Sequence, residues 1–560
     1  MSIKTLEING IRSFSQERTI DFAIPNGQPG SGLTIIVGAN NSGKSSIIEC
    51  LNIISKNKSE FPQELRNNNC NSLPYITLET NDNKQYKMVS VEKGSGFIYK
   101  FMNREKTQDI GEIPLLIFST KRFFSSNFNS YRRSMLDYAH SLSNNFRDEN
   151  NSNNEFGERL IDIYNNNLEE YRREIKYILP NIPNWTVDAK SENVYEIRFL
   201  ESEASHNSNG AGSGVNNIFV LVDGYLNTND NTTIVIDEPE LSLHPDVQER
   251  IFSRLIEISK TKQIILTTHS PYFVDYKVLE NGGKIIRTVN INNSTEIYEL
   301  NQEFYKDMDG LIHNDNNPHI FGTRAKEILF FNDNLILVEG QDDVICYQKI
   351  FNRYGFYNHP KFYGWGVGSF SNFDKILTLI KKLGYRKVFC IADGDENARN
   401  KVTELREKYR DYVFFNIDAD DVRNKPDKKE LKKINKILKV LNEKEEEDLL
   451  PIKEYFKSKI RIGLVDSIKT CNVKPEYEEN IKELVTQIKK YFSLQEIPII
   501  EENTCDKLND GWIADIRFIE YDDLKNIVIE YFQLDSTSIM LKGGAGGDII
   551  DFNDVSSLLY

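Results

Sequence analysis

Residues 33–48 read LTIIVGANNSGKSSII, which predicts an apolar strand, a glycine-rich loop and the start of a helix. The loop fits the pattern GxxxxGK followed by Ser or Thr, in which backbone N–H groups and the helix N-terminus bind phosphates. Lys44 is expected to reach the β- and γ-phosphates of ATP, and the Ser45 hydroxyl to hold Mg²⁺. The residues predicted to bind ATP in this loop are Gly38, Asn40, Asn41, Ser42, Gly43, Lys44, Ser45 and Ser46.

Two later strand ends carry the polar groups that ATP hydrolysis requires. Residues 234–245 read IVIDEPELSLHP, and Asp237 at the end of this apolar strand is predicted to hold the Mg²⁺ with its water shell. Glu238 is the expected catalytic base that activates the attacking water. Residues 266–271, LTTHSP, place His269 at the next strand end, where it can contact the γ-phosphate. A strand-end histidine is usually structural, so this role depends on the motif order.

A second glycine-rich loop, GAGSG at residues 210–214, lies between these motifs and opens a helix. Small residues at a helix N-terminus can form another phosphate-binding surface. A flexible linker is the plainer interpretation of such a loop. Its position ahead of a helix and the Asp237 strand favours nucleotide binding by Ser213 and Gly214.

These four motifs together resemble the ABC ATPases of the SMC and RecF type. The wording DEPExxLHP and TTHSP resembles in particular the OLD (overcoming lysogenization defect) family. The resemblance implies that Ser213 and Gly214 belong to a signature loop that caps the ATP of a partner subunit, in a homodimer or higher homo-oligomer formed through the ATPase heads. Residues 118–122, FSTKR, occupy the region expected for a Q-loop but contain no glutamine.

The OLD resemblance also implies a Toprim domain, in which a Glu ends the first strand and a DxD pair ends a later one. Residues 335–339, LILVE, end in Glu339, and VFCIADGD at 388–395 supplies Asp393 and Asp395. Parallel strands present their C-terminal ends at one edge of a sheet, so these carboxylates are expected to converge.

Clustered carboxylates without histidine suit Mg²⁺ or Mn²⁺. Two such ions can activate a water and stabilise the leaving oxygen of a phosphodiester. Asp343, one turn into the next helix, is a further candidate ligand. Asp420 and Asp421 follow a later strand and are weaker candidates, because an aspartate there also suits a helix N-cap.

OLD-like nucleases also carry a late lysine that stabilises the scissile phosphate. Lys542, before the run GGAGG, is the candidate for this catalytic role, and Lys425 is its rival. An acidic partner at Asp522 or Asp523 is a guess from position alone.

The length of 560 residues exceeds one ordinary core and predicts two or three domains. The expected fold class is α/β: an ABC-type ATPase domain over 1–325 with a helical insertion at about 125–185, a Toprim βαβ domain over 330–425, and an α/β extension over 426–560. The elements expected from periodicity and apolar runs are strands at 33–37, 75–80, 86–92, 233–236, 263–267, 334–338, 361–363, 387–392 and 412–417, and helices at 158–179, 373–383 and 428–450.

The net charge of −15 argues against a passive nucleic-acid coat, although a local basic groove remains compatible with it. The six cysteines form no CxxC pair, which favours a reducing, cytoplasmic setting. The N-terminus does not read as a secretion signal, and no apolar run approaches 18 residues, so no membrane association is expected.

The leading hypothesis is therefore an ATP-regulated, metal-dependent DNA endonuclease of the OLD type. Family resemblance suggests anti-phage defence, with a defence-system partner protein or a retron RNA–DNA element. The alternatives are a non-cutting DNA-binding or repair ATPase of the RecF/SMC type, a Toprim nuclease acting on RNA, and a topoisomerase or primase. Whether ATP activates or restrains cutting stays open.

Overall fold

The computed structural model covers the whole chain, and residues 1–494 form one compact unit while 495–560 form a second. The residues that the structure describes are 2–58, 60–61, 63–92, 97–111, 113–120, 122, 124, 127–144, 152–200, 205–207, 213–307, 326–331, 334–364, 372–423, 425–426, 460–461, 463–467, 470–494, 539–540 and 549–550. None of the described helices is both long and apolar enough to cross a lipid bilayer.

The N-terminal strands form an antiparallel sheet of six strands in the order β2-β1-β4-β5-β6-β7. Its strands are β1 (Ile3–Asn9), β2 (Arg18–Asp21), β4 (Tyr75–Thr80), β5 (Gln85–Ser90), β6 (Ile98–Met102) and β7 (Glu105–Thr107). Burial alternates along β5, as expected for a strand with one face on a core. The two strands expected at 75–80 and 86–92 are both present.

The central sheet has six strands in the order β16-β15-β3-β14-β13-β8. They are β3 (Leu33–Val37), β8 (Leu115–Phe118), β13 (Thr233–Asp237), β14 (Ile264–Thr268), β15 (Lys284–Ile291) and β16 (Ser294–Leu300). All neighbours are parallel except the β15–β16 hairpin. Every residue of β3, β13 and β14 is buried, which explains why these strands read as unbroken apolar runs.

Helices cover both faces of this central sheet. Helix α1 (Lys44–Ser55) fills the layer between it and the N-terminal sheet. The opposite face carries helices contributed by later segments of the chain. Ile35 and Ile36 on β3 accordingly point into two different cores. The helices on the second face are α3 (Ser152–Asn166), α4 (Leu168–Ile178), α5 (Ser213–Asn227) and α6 (Pro245–Ile258).

The predicted helical insertion is partly β-structure. Helix α2 (Met135–Asn144) precedes α3 and α4, and the single helix expected at 158–179 is instead divided at Asn167, the N-cap residue of α4. A small antiparallel sheet flanks the helices and was missed by the pattern analysis. Its strands are β9 (Asn127–Asn129), β10 (Asn184–Ser191), β11 (Val194–Leu200) and β12 (Ser205–Asn207).

A second parallel sheet follows helix α7 (Gln302–Asp307), with its four strands in the order β18-β17-β19-β20. Its elements in chain order are β17 (Asn334–Leu337), α8 (Gln341–Arg353), β18 (Lys361–Tyr363), α9 (Phe373–Lys382), β19 (Lys387–Ala392), α10 (Glu396–Lys408) and β20 (Val413–Asn416). The short strands β21 (Lys425–Pro426) and β22 (Ile460–Arg461) pair with each other, and α11 (Glu478–Phe492) packs on this half. The charged helix expected at 428–450 lies outside the described residues.

One buried arginine joins the two halves of the first unit. Arg287 on β15 donates hydrogen bonds to the carbonyl oxygens of Leu383 and Phe331, the latter at 2.7 Å. Its guanidinium also lies 4.2 Å from the ring centroid of Tyr385. The same strand borders β3, so this contact connects the strand next to the glycine-rich loop with the second sheet.

In the second unit the structure describes two short strands, β23 (Ile539–Met540) and β24 (Ile549–Ile550), which pair antiparallel.

Candidate functional site

The glycine-rich loop closes around its own lysine at the N-terminus of α1. Lys44 Nζ donates hydrogen bonds to the carbonyl oxygens of Gly38 at 3.0 Å and Ala39 at 2.9 Å. Gly43 caps the helix with φ 109°, and Asn41 also has a positive φ of 60°. These turns point the backbone of the loop toward the space where helix α1 begins, which is the arrangement that binds phosphate.

The hairpin β15–β16 supports this loop from one side. The Ser42 hydroxyl lies 2.6 Å from that of Thr288, and the Thr295 hydroxyl donates to the carbonyl of Ser42 at 3.0 Å. A Cβ at Gly38 would come within 2.4 Å of the Thr288 carbonyl, and one at Gly43 within 2.3 Å of the Thr295 hydroxyl. The loop therefore requires glycine at both positions for close packing as well as for backbone conformation.

The carboxylates after β13 face this loop. Thr267 Oγ1 donates to Asp237 Oδ1 at 2.5 Å, which orients the Asp237 carboxylate. Glu238 has φ 48°, and its N–H donates to the Thr267 carbonyl at 3.1 Å. Burial raises the pKa of Asp237, and the hydrogen bond from Thr267 opposes that rise.

His269 contacts the predicted catalytic base. Its Nε2 lies 3.3 Å from Glu238 Oε1, and the hydrogen bond between them lowers the pKa of Glu238. The His269 N–H also donates to Glu240 Oε1 at 2.6 Å. Glu240 was not among the site residues predicted from the sequence, although it belongs to the DEPE motif. Burial raises the pKa of Glu240, and its carboxylate supports the turn that carries the histidine.

Electrostatics tie the loop lysine to these acidic residues. Burial lowers the pKa of Lys44 to about 8, while the negative charges of Glu238, Asp237 and Glu240 oppose the shift. The structure thus brings the predicted ATP-binding and ATP-hydrolysing side chains of one chain to the same sheet edge. Ser45 and Asn40 are exposed there, whereas Ser46 is buried at 3.5 Å from the Ser13 hydroxyl.

Helix α5 begins at Ser213, which is exposed, and the loop residues 208–212 lie outside the described part of the chain. A Cβ at Gly214 would approach the carbonyl of Ser242 to 2.4 Å. The first turn of α5 is therefore packed directly against the segment that follows Glu238.

In the second sheet, two of the predicted metal ligands meet. Glu339 follows β17 and Asp393 follows β19, which are hydrogen-bonded parallel neighbours. The Asp393 N–H donates to Glu339 Oε1 at 3.1 Å. Asp393 is only 7% exposed, so its carboxylate lies in a partly desolvated place at the sheet edge.

Gly394 explains the spacing of the DxD pair. A Cβ at this position would come within 2.3 Å of the Ile417 carbonyl and 2.6 Å of the Ala419 carbonyl. The loop after β20 therefore packs tightly onto the turn between the two aspartates. Asp395 then serves as the N-cap of α10, since its Oδ1 accepts a hydrogen bond from the Ala398 N–H at 2.8 Å.

Asp343 lies at the start of α8, where its Oδ2 accepts from the Gly340 N–H at 2.9 Å. Tyr347 is fully buried beside it, and burial together with the charges of Asp343, Asp393 and Glu339 raises the pKa of the tyrosine. Three of the predicted carboxylates thus act on one buried side chain.

The donor chemistry fits a hard divalent cation, because carboxylate oxygens are the ligands that Mg²⁺ and Mn²⁺ prefer. Across the described ranges, however, no three His, Cys, Asp or Glu side chains are grouped closely enough to hold a metal ion. Glu339 and Asp393 are best placed to form the core of such a site. Asp343 and Asp395 would have to contribute an oxygen besides the one that accepts from the backbone.

The remaining candidates are placed less centrally. Asp421 is buried after the outer strand β20, and its Oδ1 accepts from the Arg423 N–H at 3.2 Å. Arg423 also forms an ion pair with Asp342 at 2.7 Å, which puts a basic group beside α8 that pattern analysis missed. Only the backbone of Lys425 is described. Lys542, Asp522 and Asp523 lie outside the described residues.

Two protein-family models match the chain. The model "AAA ATPase domain" matches residues 1–113 and 75–274, and the model "Overcoming lysogenization defect protein-like, TOPRIM domain" matches residues 330–395. The first covers the glycine-rich loop and the Asp237 and His269 motifs. The second includes Glu339, Asp393 and Asp395. The ATPase match implies ATP as the nucleotide.

Two curated relatives are similar over shorter segments. The Old nuclease of Escherichia phage P2 is 29% identical over 126 residues, which is 22% of this chain and 20% of the relative. The OLD nuclease of Thermus scotoductus is 26% identical over 166 residues, or 29% of this chain and 31% of the relative. The aligned segments thus span less than a third of the length of either relative.

Solved structures of SMC heads also align with the chain. The SMC head domain from Thermotoga maritima aligns at a TM-score of 0.34 and 17% identity, covering 54% of this chain and 99% of that one. The Smc head bound to the C-winged helix domain of ScpA aligns at a TM-score of 0.38 and 15% identity, covering 55% and 100%.

The predicted fold class is confirmed: an ABC-like ATPase head is followed by a Toprim domain built on a parallel sheet. This combination defines a class of ATPase–Toprim proteins. The chain combines an AAA ATPase domain with an OLD-like Toprim domain.

Proposed function

We propose that this protein is an ATP-regulated, divalent-metal-dependent endonuclease that nicks or cleaves DNA. The observation that carries the proposal is the meeting of Glu339 and Asp393 at the ends of neighbouring parallel strands in a Toprim domain. The same compact unit contains an ATPase domain. Distant similarity to two OLD nucleases supports the same class of activity.

In the ATPase half, Lys44 would exchange its hydrogen bonds with loop carbonyls for bonds to the β- and γ-phosphates. Asp237, oriented by Thr267, would hold the magnesium ion that accompanies ATP and neutralises phosphate charge. Glu238 would accept a proton from the attacking water. His269, 3.3 Å from Glu238, would orient that carboxylate and face the γ-phosphate.

In the Toprim half, Glu339, Asp393 and Asp395 would hold Mg²⁺ or Mn²⁺, with Asp343 as an additional ligand. Ions bound there would activate a water and stabilise the leaving oxygen of the phosphodiester. The burial of Asp393 keeps solvent from competing for its oxygens. Lys542 would contribute positive charge at the scissile phosphate.

The assembly proposed is a homodimer or higher homo-oligomer through the ATPase heads, with Ser213 and Gly214 facing the nucleotide of the partner copy. In such an assembly the ATP site would lie at a subunit interface. Nucleotide binding would therefore control how the Toprim domains of the two copies are placed relative to each other. We propose anti-phage defence as the setting, with a defence-system protein or a retron RNA–DNA element as partner. The cytoplasm is the expected compartment.

The test is incubation of the purified protein with supercoiled and linear DNA, with Mg²⁺ or Mn²⁺, in the presence and absence of ATP. Asp393→Asn, which keeps the shape of the side chain, is compared with the exposed control Asp411→Asn. Metal-dependent cleavage that only Asp393→Asn abolishes supports the nuclease. Parallel reactions with single-stranded and structured RNA distinguish the two nucleic acids as substrates.

A non-cutting DNA-binding ATPase is the second candidate. It is favoured by the hydrogen bonds of Asp343 and Asp395 with their own helix N-termini, which suit structural caps as well as metal ligands. ATP turnover that requires Lys44, without cleavage of DNA or RNA under any of these conditions, supports this candidate over the nuclease.

A further inference from the structure

The backbone that follows Asp237 is held by two buried side chains from other elements. Arg122, just beyond β8, donates to the carbonyl oxygens of Asp237 at 2.6 Å and Glu238 at 2.5 Å. Asn217, on α5, donates to the next carbonyls, those of Pro239 at 3.2 Å and Leu241 at 2.9 Å. Two side chains thus determine the course of the whole turn that carries the predicted catalytic base.

These two side chains also bind each other. Arg122 Nε donates to Asn217 Oδ1 at 2.6 Å, and the guanidinium reaches the Ser119 carbonyl at 2.5 Å as well. Arg122 is 4% exposed and Asn217 is 3% exposed. Burying a guanidinium is unfavourable unless its hydrogen bonds and nearby charges compensate. Here the compensation comes from oriented carbonyl oxygens and from the carboxylates of the ATP site.

The conformation of Glu238 makes this support necessary. Its φ of 48° lies in the left-handed region, which an L-amino acid other than glycine adopts only when its surroundings enforce it. Ser242, at the far end of the turn, has φ 61°, and its carbonyl is the group against which Gly214 packs. The turn is therefore constrained at both ends, by Arg122 at Glu238 and by the start of α5 at Ser242.

We propose that Arg122 and Asn217 are positioning residues for ATP hydrolysis, which fix the Glu238 carboxylate and couple it to the N-terminus of α5. The inference rests on the proposed ATPase function. It gives a role to Arg122 in residues 118–122, the region expected for a Q-loop, which contains no glutamine. Asn217 lies one helical turn after Ser213. If the start of α5 moves when it contacts the nucleotide of a second copy, the Asn217–Arg122 hydrogen bond would transmit that movement to Glu238.

The test measures kcat and KM for ATP, together with thermal unfolding, in Arg122→Ala, Arg122→Lys and Asn217→Ala. Arg122→Ala is expected to lower kcat about 100-fold, the loss that misplacing a catalytic group by about 1 Å produces. KM should stay within about threefold, because the phosphate-binding loop is untouched. Asn217→Ala is expected to lower kcat about tenfold, and Arg122→Lys to recover part of the loss because it keeps the charge without the planar fork.

Arg159, on α3, provides a matched control because it also binds helix α5 from a different element. It is also buried, and its guanidinium donates to Asp223 of α5 at 2.8 and 3.0 Å, away from the ATP site. Arg159→Ala should lower the unfolding temperature as Arg122→Ala does, with kcat unchanged. A kcat loss of equal size in both variants would instead assign Arg122 a purely structural role.

Different results would contradict the ATPase site and the positioning role of Arg122 and Asn217. ATP turnover that persists in Lys44→Ala contradicts the ATPase site itself. Turnover that requires Lys44 but is unchanged in Arg122→Lys and Asn217→Ala contradicts the positioning role alone. If Arg122→Ala does not fold, the Lys and Asn217 variants decide the question through the same split between kcat and KM.

Discussion

The ATPase site and the Toprim site differ in what their functional side chains contact. In the ATPase site Asp237 is held by Thr267, Glu238 by His269 and His269 by Glu240. In the Toprim site Glu339 meets the backbone of Asp393, and the other two carboxylates accept from helix N-termini. In the first site, side-chain contacts join Asp237 to Thr267 and Glu238 to His269, and the Glu240 carboxylate accepts from the His269 backbone N–H. The second presents carboxylates at one sheet edge that an ion would still have to draw together.

Glu238→Gln tests the ATPase site. The amide keeps the size and can still contact His269, but it cannot accept the proton of the attacking water. ATP turnover should fall on the order of 10²- to 10⁴-fold, the usual contribution of a general base. ATP binding should remain, as measured by titration with a fluorescent analogue. Glu249→Gln on the exposed face of α6 serves as the control, and equal losses in the two variants would remove Glu238 from the role of base.

Asp393→Asn tests the Toprim site. Cleavage of supercoiled DNA should fall on the order of 10²-fold or more, since even partners outside the ligand shell of a metal site account for 10- to 100-fold. ATP turnover should be unchanged, because the variant lies in the Toprim sheet. Both rates are measured on one preparation. A parallel loss of ATP turnover would show that the two sites do not act independently.

Arg287→Ala tests the contact between the two halves. The carbonyl oxygens of Leu383 and Phe331 would lose buried donors, which is expected to lower the free energy of unfolding by about 2–3 kcal/mol in urea titrations. Lys482→Ala, which removes an exposed ion pair with Glu479 on α11, should change it by less than about 1 kcal/mol. Separation of the urea transition into two steps would indicate that Arg287 holds the halves together cooperatively.

The sequence predicted those parts of the fold that depend on local pattern. The strands at 33–37, 361–363 and 387–392 have the predicted bounds, because each is a buried apolar run or short strand bounded by turn residues. The sheet β9–β12 was missed, since its strands alternate irregularly with polar residues and pair across intervening helices. The approach of Glu339 to Asp393 could be predicted, because parallel strands have their C-terminal ends at the same edge of a sheet.

Long-range side-chain contacts could not be predicted in the same way. Arg122 and Asn217 are 95 positions apart in the chain, and no periodicity links an arginine after one strand to an amide within a distant helix. The N-cap geometry of Asp395 was also hidden, because the DxD pattern reads equally as two ligands or as one ligand and one cap. Local motifs therefore located both sites, while their supporting contacts required the folded arrangement.

Lys44 offers a pH test of the ATP site. Its pKa is lowered from 10.5 to about 8, so between these values the unfolded chain binds the additional proton and this group contributes more stability as pH rises. ATP binding needs the charged form. Affinity for ATP should therefore be about tenfold weaker at pH 9 than at pH 7, by the same linkage. Lys44→Arg, which does not titrate in this range, should bind with little pH dependence, and an equal slope in both proteins would exclude Lys44 as its cause.

Variants of Asp395 can distinguish a metal ligand from a residue that only caps a helix. Asp395→Ala removes the N-cap of α10 and should lower the free energy of unfolding by about 1 kcal/mol. Asp395→Ser restores an oxygen that can accept from the Ala398 N–H, but not the carboxylate. Stability that recovers without cleavage would assign the metal role to Asp395 alongside its cap. Recovery of both would leave Asp395 as a cap, and the ion would then depend on Glu339, Asp393 and Asp343 for its protein oxygens.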